Sequence, residues 1–136
     1  MGAKDGSMNF FGTMTKSNAV NVNPLVLAYV GDAVHSLIVR EKLVHEHDFK
    51  AGRMHELASG QVNAHSQSQL AEKLLPCLTE EERDVFMRGR NGKSHHVAKN
   101  QTLADYRMAT GIEAVIGYLY LTGNTERLMQ LLGETV

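Results

Sequence analysis

Leu25-Val-Leu-Ala-Tyr-Val-Gly-Asp-Ala-Val34 is the stretch on which the reading of this chain turns. It follows Asn23-Pro24, a pair that starts helices: Asn can cap the free backbone amides, and Pro suits the first helical position. From Leu25 to Val44 apolar residues fall on nearly every side of the predicted helix. Such a helix belongs at the buried centre of a bundle. One charge interrupts its first part. Between Pro24 and Val34 the only charged residue is Asp32, directly after Gly31.

Far along the chain the same combination returns. A second apolar helix is predicted over about 104–121, and from Met108 to Leu121 its only charged residue is Glu113, flanked by Gly111 and Gly117. Burying an unpaired carboxylate costs several kcal/mol, so such an acid normally has a partner or binds a cation. Glycine lowers helix stability by roughly 1 kcal/mol relative to alanine. It is tolerated where helices approach closely or a ligand backbone comes near. Two facing carboxylates suit Mg²⁺, a hard ion that takes oxygen ligands and keeps several waters. The alternative is that each acid pairs with a basic residue, Arg40 and Arg107 being available, or caps a neighbouring helix. Periodicity alone leaves both readings open.

Around these helices the rest of the organisation falls into place. The pattern breaks at the polar 45–50 segment and resumes through Leu57, Val62, Leu70, Leu74 and Leu75, with a kink expected near Gly60. Thr79 with Glu82 three residues later predicts a capping-box helix start. That helix should end near 88–92, followed by a polar, basic loop to Thr102, the second apolar helix and, after Gly123-Asn124, a short last helix ending near Leu132. There are no repeats and no strand-like alternation. Residues 1–22, rich in Gly, Ser, Thr and Asn, read as a flexible N-terminal arm, and 23–136 as one domain. The expected architecture is all-α, five or six helices in one compact bundle.

Composition sets the class. At 136 residues the chain suits a single domain, and 43% hydrophobic with 21% charged residues is ordinary for a globular protein. No apolar run approaches the roughly 20 residues of a membrane span, and the first residues lack a secretory pattern. Cys77 is the only cysteine, which excludes an internal disulfide and a multi-cysteine metal cage. A cytoplasmic location is expected. His45 and His47 lie two apart and His95 and His96 are adjacent, neither with the spacing of a helical zinc pair.

The net charge of −1 hides a local imbalance. Between Arg83 and Lys99 stand five basic residues, Arg83, Arg88, Arg90, Lys93 and Lys99, against one acid, Asp84. Arg88-Gly-Arg-Asn-Gly-Lys-Ser94 sets cations among glycines, so charged heads and backbone amides could both reach phosphate. A merely solvated, charged loop accounts for most such clusters. The polar run from Ser59 to Gln69 could also face a ligand. Asn and Gln side chains, Gln67 among them, can hydrogen-bond ribose hydroxyls in the shallow minor groove of A-form RNA.

Taken together, these segments resemble a known family. Leu25 to Val34 is similar to the signature helix of the ribonuclease III family, with its Leu-Gly-Asp-Ala-like stretch. Ile112-Glu-Ala-Val-Ile-Gly-Tyr-Leu-Tyr-Leu121 resembles that family's second acidic helix. Asn23-Pro24, Arg88 to Ser94, Lys99-Asn100 and Tyr106-Arg107 leading into Thr110 resemble the Mini-ribonuclease III branch, which has the catalytic domain without a separate double-stranded-RNA-binding domain. The similarity runs from about Asn23 to Leu132, in order and at matching spacing.

The resemblance implies an all-α endonuclease domain of the ribonuclease III type, acting as a homodimer on double-stranded RNA. It implies Asp32 and Glu113 as catalytic residues and ligands of Mg²⁺, with Mn²⁺ able to substitute. Gln67, Arg88, Arg90, Lys93, Ser94 and Lys99 would contact RNA. The implied substrate is the precursor of large-subunit (23S) ribosomal RNA, with an accessory ribosomal protein as a further candidate partner. Two of the four metal-site acids of ribonuclease III proper are replaced, by Ala28 one turn before Asp32 and by Thr110 three residues before Glu113. Two rivals follow: a catalytically inactive double-stranded-RNA-binding module on the same scaffold, and a purely structural helical dimer whose acids form salt bridges.

Overall fold

The computed structural model describes residues 9–92 and 101–133. They form α1 (Lys16–Val20), α2 (Pro24–Glu46), α3 (Ala51–Val62), α4 (Ala64–Leu74), α5 (Glu80–Arg90), α6 (Leu103–Leu121) and α7 (Thr125–Leu132), with a 3₁₀ turn at Leu75–Cys77. No strand occurs among the described residues, and the chain forms the all-α bundle expected of it.

The helix starts are where local chemistry puts them. Asn23 Oδ1 accepts from the Leu25 amide at 2.8 Å, with Pro24 in the first turn of α2. Thr79 and Glu82 form the reciprocal capping box of α5, each side chain accepting from the other's backbone amide. Thr102 caps α6 through the Asp105 amide. The expected kink near Gly60 is instead a break at Asn63, whose extended backbone ends α3. Its side chain accepts from the Ser66 amide and so starts α4. An N-cap outweighs a helical glycine as a stop signal.

The centre of the bundle is α6, against which α2, α4 and α5 all lie. Ile112, Val115, Ile116, Tyr118 and Leu119 of α6 meet Leu27 and Val34 of α2, Ala71 and Leu74 of α4, Val85 and Phe86 of α5, and Leu128 and Leu132 of α7. Each large side chain fully buried here stabilises the fold by about 1.5–3 kcal/mol. The sequence pattern assigned the centre to α2, but one face of that helix is uncovered: Val26, Tyr29, Leu37 and Val44 are all exposed. No helix among the described residues is long and apolar enough to cross a membrane.

Part of the stretch expected as a flexible arm is docked. Ala19 of α1 is fully buried, the Met14 amide donates to the Leu121 carbonyl, and Asn9 donates to the Tyr120 carbonyl. The polar composition of residues 9–22 concealed these few anchoring contacts. Residues 1–8 of the arm lie outside the described residues.

Candidate active site

Two glycines set the geometry. A Cβ placed on Gly31 would stand 1.7 Å from the Glu113 carbonyl oxygen, and one placed on Gly117 would stand 1.9 Å from the Leu27 carbonyl oxygen. No side chain of any kind fits at either position, so α2 and α6 cross backbone against backbone. The crossing brings Asp32, next to Gly31, beside Glu113. Burial first, and then the contact with Asp32, pushes the Glu113 carboxyl up to about 9, with a hydrogen bond from Gln67 pulling the other way. Asp32 itself is exposed and Glu113 half-buried, so the pair has one wet end and one partly enclosed end.

No ion pair reaches either acid among the described residues. Arg40 and Arg107, the candidate partners, lie exposed on the surface. Behind the acids is a polar wall. Gln67 is only 3% exposed and lies 3.2 Å, Nε2 to Nδ1, from His35, itself 2% exposed. Burial pulls the His35 pKa down, while the charge of Asp32 one turn away acts against that. Ala28 and Thr110 are both buried near the crossing, and the Thr110 hydroxyl donates to the Tyr106 carbonyl at 2.8 Å.

The ribonuclease III domain profile matches residues 25–124, a span that contains both acids and both glycines. The chain is 42% identical over 119 residues to Mini-ribonuclease 3 of Symbiobacterium thermophilum, covering 88% of this chain and 92% of that protein. It is 46% identical over 112 residues to Mini-ribonuclease 3 of Brevibacillus brevis, covering 82% and 84%. The chain belongs to the ribonuclease III family, in its Mini-ribonuclease III branch. A crystal structure of a protein from Fusobacterium nucleatum is similar in fold, with a TM-score of 0.77 at 27% identity over 84% of this chain and 91% of that one.

Within a ribonuclease III fold the departures at Ala28 and Thr110 have a clear effect. Among the described residues no group of three or more His, Cys, Asp or Glu side chains is placed to hold a metal. What remains is a two-carboxylate donor set, all oxygen, open to solvent at Asp32 and without a cation from the protein. That set fits a hard divalent ion that takes oxygen ligands and keeps most of its own waters. It does not fit a tight all-protein cage.

The predicted RNA contacts divide. Arg88 and Arg90 are half-buried on the last turn of α5, where Arg90 also donates to Asn91 Oδ1. Gly89 between them is not a flexible loop residue as expected: it is packed on α6, and a Cβ there would meet the Ala114 Cβ at 2.8 Å. Lys93, Ser94 and Lys99 lie outside the described residues, as do His95 and His96. Gln67 departs from the expectation altogether, because it is buried behind the acids and cannot present its amide to a groove. Sequence reasoning gave His35 no role, although its position one turn after Asp32 on an apolar helix was a usable signal.

Proposed function

We propose that this chain is an endoribonuclease that cleaves double-stranded RNA by Mg²⁺-assisted phosphodiester hydrolysis. The observation that carries the reading is the meeting of Asp32 and Glu113 at a glycine-lined helix crossing, with no ion pair to either acid among the described residues. Asp32 and Glu113 would hold the metal. Mg²⁺, or Mn²⁺ in its place, supplies Lewis-acid polarisation of the phosphate and acidifies the attacking water. The protein's own part is to present one exposed carboxylate to the substrate side and to keep the second fixed and partly enclosed. With a cation held there, Glu113 would be ionised, its proton passing to solvent.

Arg88 and Arg90, joined by Lys93 and Lys99, neutralise the phosphates flanking the cut. Such contacts release counterions, so duplex affinity falls steeply with salt. A homodimer completes the enzyme. Its support is the uncovered face of α2, where Tyr29 is 79% exposed beside a groove of about 410 Å³ that Asp32 also lines. Exposed apolar surface of this kind marks an interaction site. The reading extends to a cytoplasmic enzyme that matures the 23S ribosomal RNA precursor, presented by an accessory ribosomal protein, in line with the branch to which the chain belongs.

The test is cleavage of a labelled perfect RNA duplex with and without Mg²⁺, comparing wild type with Asp32→Asn. Cleavage that requires both the ion and Asp32 is the expected result. Ala28 and Thr110 favour a second reading, an inactive duplex-binding module. Duplex binding without cleavage of either a perfect duplex or a structured ribosomal precursor would decide for it.

A further inference from the structure

Exposed apolar side chains are ordinary one at a time, but two adjacent phenylalanines on a pinned turn are not. Phe10 is 74% and Phe11 88% exposed. The turn that carries them is tied at both ends to the last turn of α6. On one side Asn9 Nδ2 donates to the Tyr120 carbonyl, and on the other the Met14 amide donates to the Leu121 carbonyl, both at 2.8 Å. Thr13 packs closely over Gly123, where an added Cβ would meet its Cγ2 at 2.6 Å. Between the ties Gly12 takes the left-handed backbone, φ 85°, which suits so tight a turn. The ties fix where the rings sit, and their exposure shows that their own chain does not cover them.

Beside this turn lies an open groove of matching chemistry. It has a volume of about 440 Å³ and runs between α2 and α7, walled by Leu37, Ile38, Leu128, Met129 and Leu132, with Tyr120 at one end. Tyr120 is the residue whose carbonyl holds Asn9, and it also lines the groove beside Asp32. Along α2 the exposed Val26, Ala33, Leu37 and Val44 stand seven, four and seven positions apart. That is the spacing of a helix–helix seam, here one stripe along about 27 Å of helix.

We infer that the Phe10–Phe11 turn is an intersubunit clasp: across a two-fold pairing of α2 helices, the rings of each copy enter the partner's groove between α2 and α7. The turn and the groove adjoin at Tyr120 on the same chain, so one two-fold operation satisfies both, each copy giving and receiving the same contact. Any other partner would have to bring a groove for the rings and rings for the groove. Area points the same way. Phe10, Phe11 and Tyr29 each carry about 150–250 Å² of surface, and with the aliphatic stripe the total is on the order of the 800 Å² that each partner gives to a standard interface. Without the turn it falls well short. The inference rests on the homodimer reading above and adds to it a part for the N-terminal segment.

The experiment is sedimentation equilibrium of the full chain, joined to photo-cross-linking. Wild type, the double variant Phe10→Ser with Phe11→Ser, Met129→Asp on the groove wall, and the three substitutions together are compared. All three side chains are exposed, so circular dichroism should show the helices intact. The double variant should raise the dimer dissociation constant by about 100-fold or more. Met129→Asp should act in the same direction, and the triple variant should be little worse than the double, because rings and groove make one contact. A chain carrying Phe11→p-benzoylphenylalanine, mixed with excess ¹⁵N-labelled wild type, should cross-link to labelled peptides from α2 or α7.

An unchanged dissociation constant in the double variant overturns the inference and leaves the homodimer standing. Cross-links confined to the probe-bearing chain do the same, and because that probe keeps an aromatic ring at position 11 they decide the matter even if serines unsettle the turn. Fully additive losses in the triple variant would separate the rings from the groove. Binding to phosphatidylglycerol vesicles that the double variant loses, with dimerisation unchanged, would assign the rings to a lipid surface instead. A wild type that stays monomeric at millimolar concentration removes the homodimer reading, and this inference with it.

Discussion

Two glutamates set into this bundle have opposite surroundings. Glu82 is 4% exposed, and Arg127 grips both of its oxygens at 2.8 Å while the Thr79 amide donates to one of them. Burial pushes its pKa up, but Arg127 and Thr79 outweigh that and hold the carboxyl below its ordinary value. Glu113 is half-buried, but its neighbour is a second acid, and its pKa is pushed up to about 9. Burial alone therefore does not decide the charge of an acid; the supplier of the opposing charge does. The fold can build a matched guanidinium–carboxylate pair and does so between α5 and α7. Between α2 and α6 it leaves the opposing charge to come from outside.

The sharpest way to separate the two is Glu113→Gln. Cleavage should fall on the order of 10³-fold, several kcal/mol of transition-state stabilisation, while the metal-free protein becomes no less stable. Parallel rates and urea midpoints measure both, and a large loss of stability would make Glu113 a structural acid like Glu82. Next in size is Gly31→Ala, which drives a methyl into the α6 backbone. It should cost about 3 kcal/mol, the top of the range for overpacking, and remove cleavage along with the crossing. Wild-type stability in that variant would break the account of how the acids meet.

Arg127→Ala is the mirror experiment. It strands a buried carboxylate, and because Arg127 is about a quarter exposed we expect about 2 kcal/mol, below the usual loss for a fully buried pair. The fall should appear in thermal melts, with cleavage per folded molecule unchanged. The smallest effect is a pH slope. Metal-free folded protein keeps the Glu113 proton to about pH 9, whereas the unfolded chain releases it near 4.5. The contribution is whole below pH 4.5 and is lost as pH rises from there to about 9, at up to about 1.4 kcal/mol per pH unit. Urea midpoints in EDTA at pH 6, 7 and 8 should show it, Glu113→Gln should flatten it, and Mg²⁺ should reduce it.

Much of this could be read from residues alone, for reasons that differ by position. Helix starts at Asn23-Pro24 and Thr79–Glu82 are local hydrogen-bond chemistry, and local chemistry is written in consecutive residues. Asp32 and Glu113 stood out because each is a lone charge in an apolar run, and their neighbouring glycines pointed to close approach. That the two runs cross each other, however, is a tertiary fact with no one-dimensional trace. The same limit explains Gln67: in a polar segment its amide looks like any surface amide, and only the packing of α4 on α6 turns it inward. The Glu82–Arg127 pair spans 45 residues and left no signal beyond an ordinary capping box. For α2 the pattern was correct but its meaning was not, since a helix apolar all round can be covered on one side by something other than its own chain.

The crossing of α2 and α6 also bears on how such a sequence can change over generations. Gly31 and Gly117 each sit against the other helix's backbone, so an added methyl at either one meets main chain that cannot step aside as a rotamer could. Replacing one does nothing to make room for replacing the other. A lineage drifting by single substitutions therefore has no tolerated first step away from this pair.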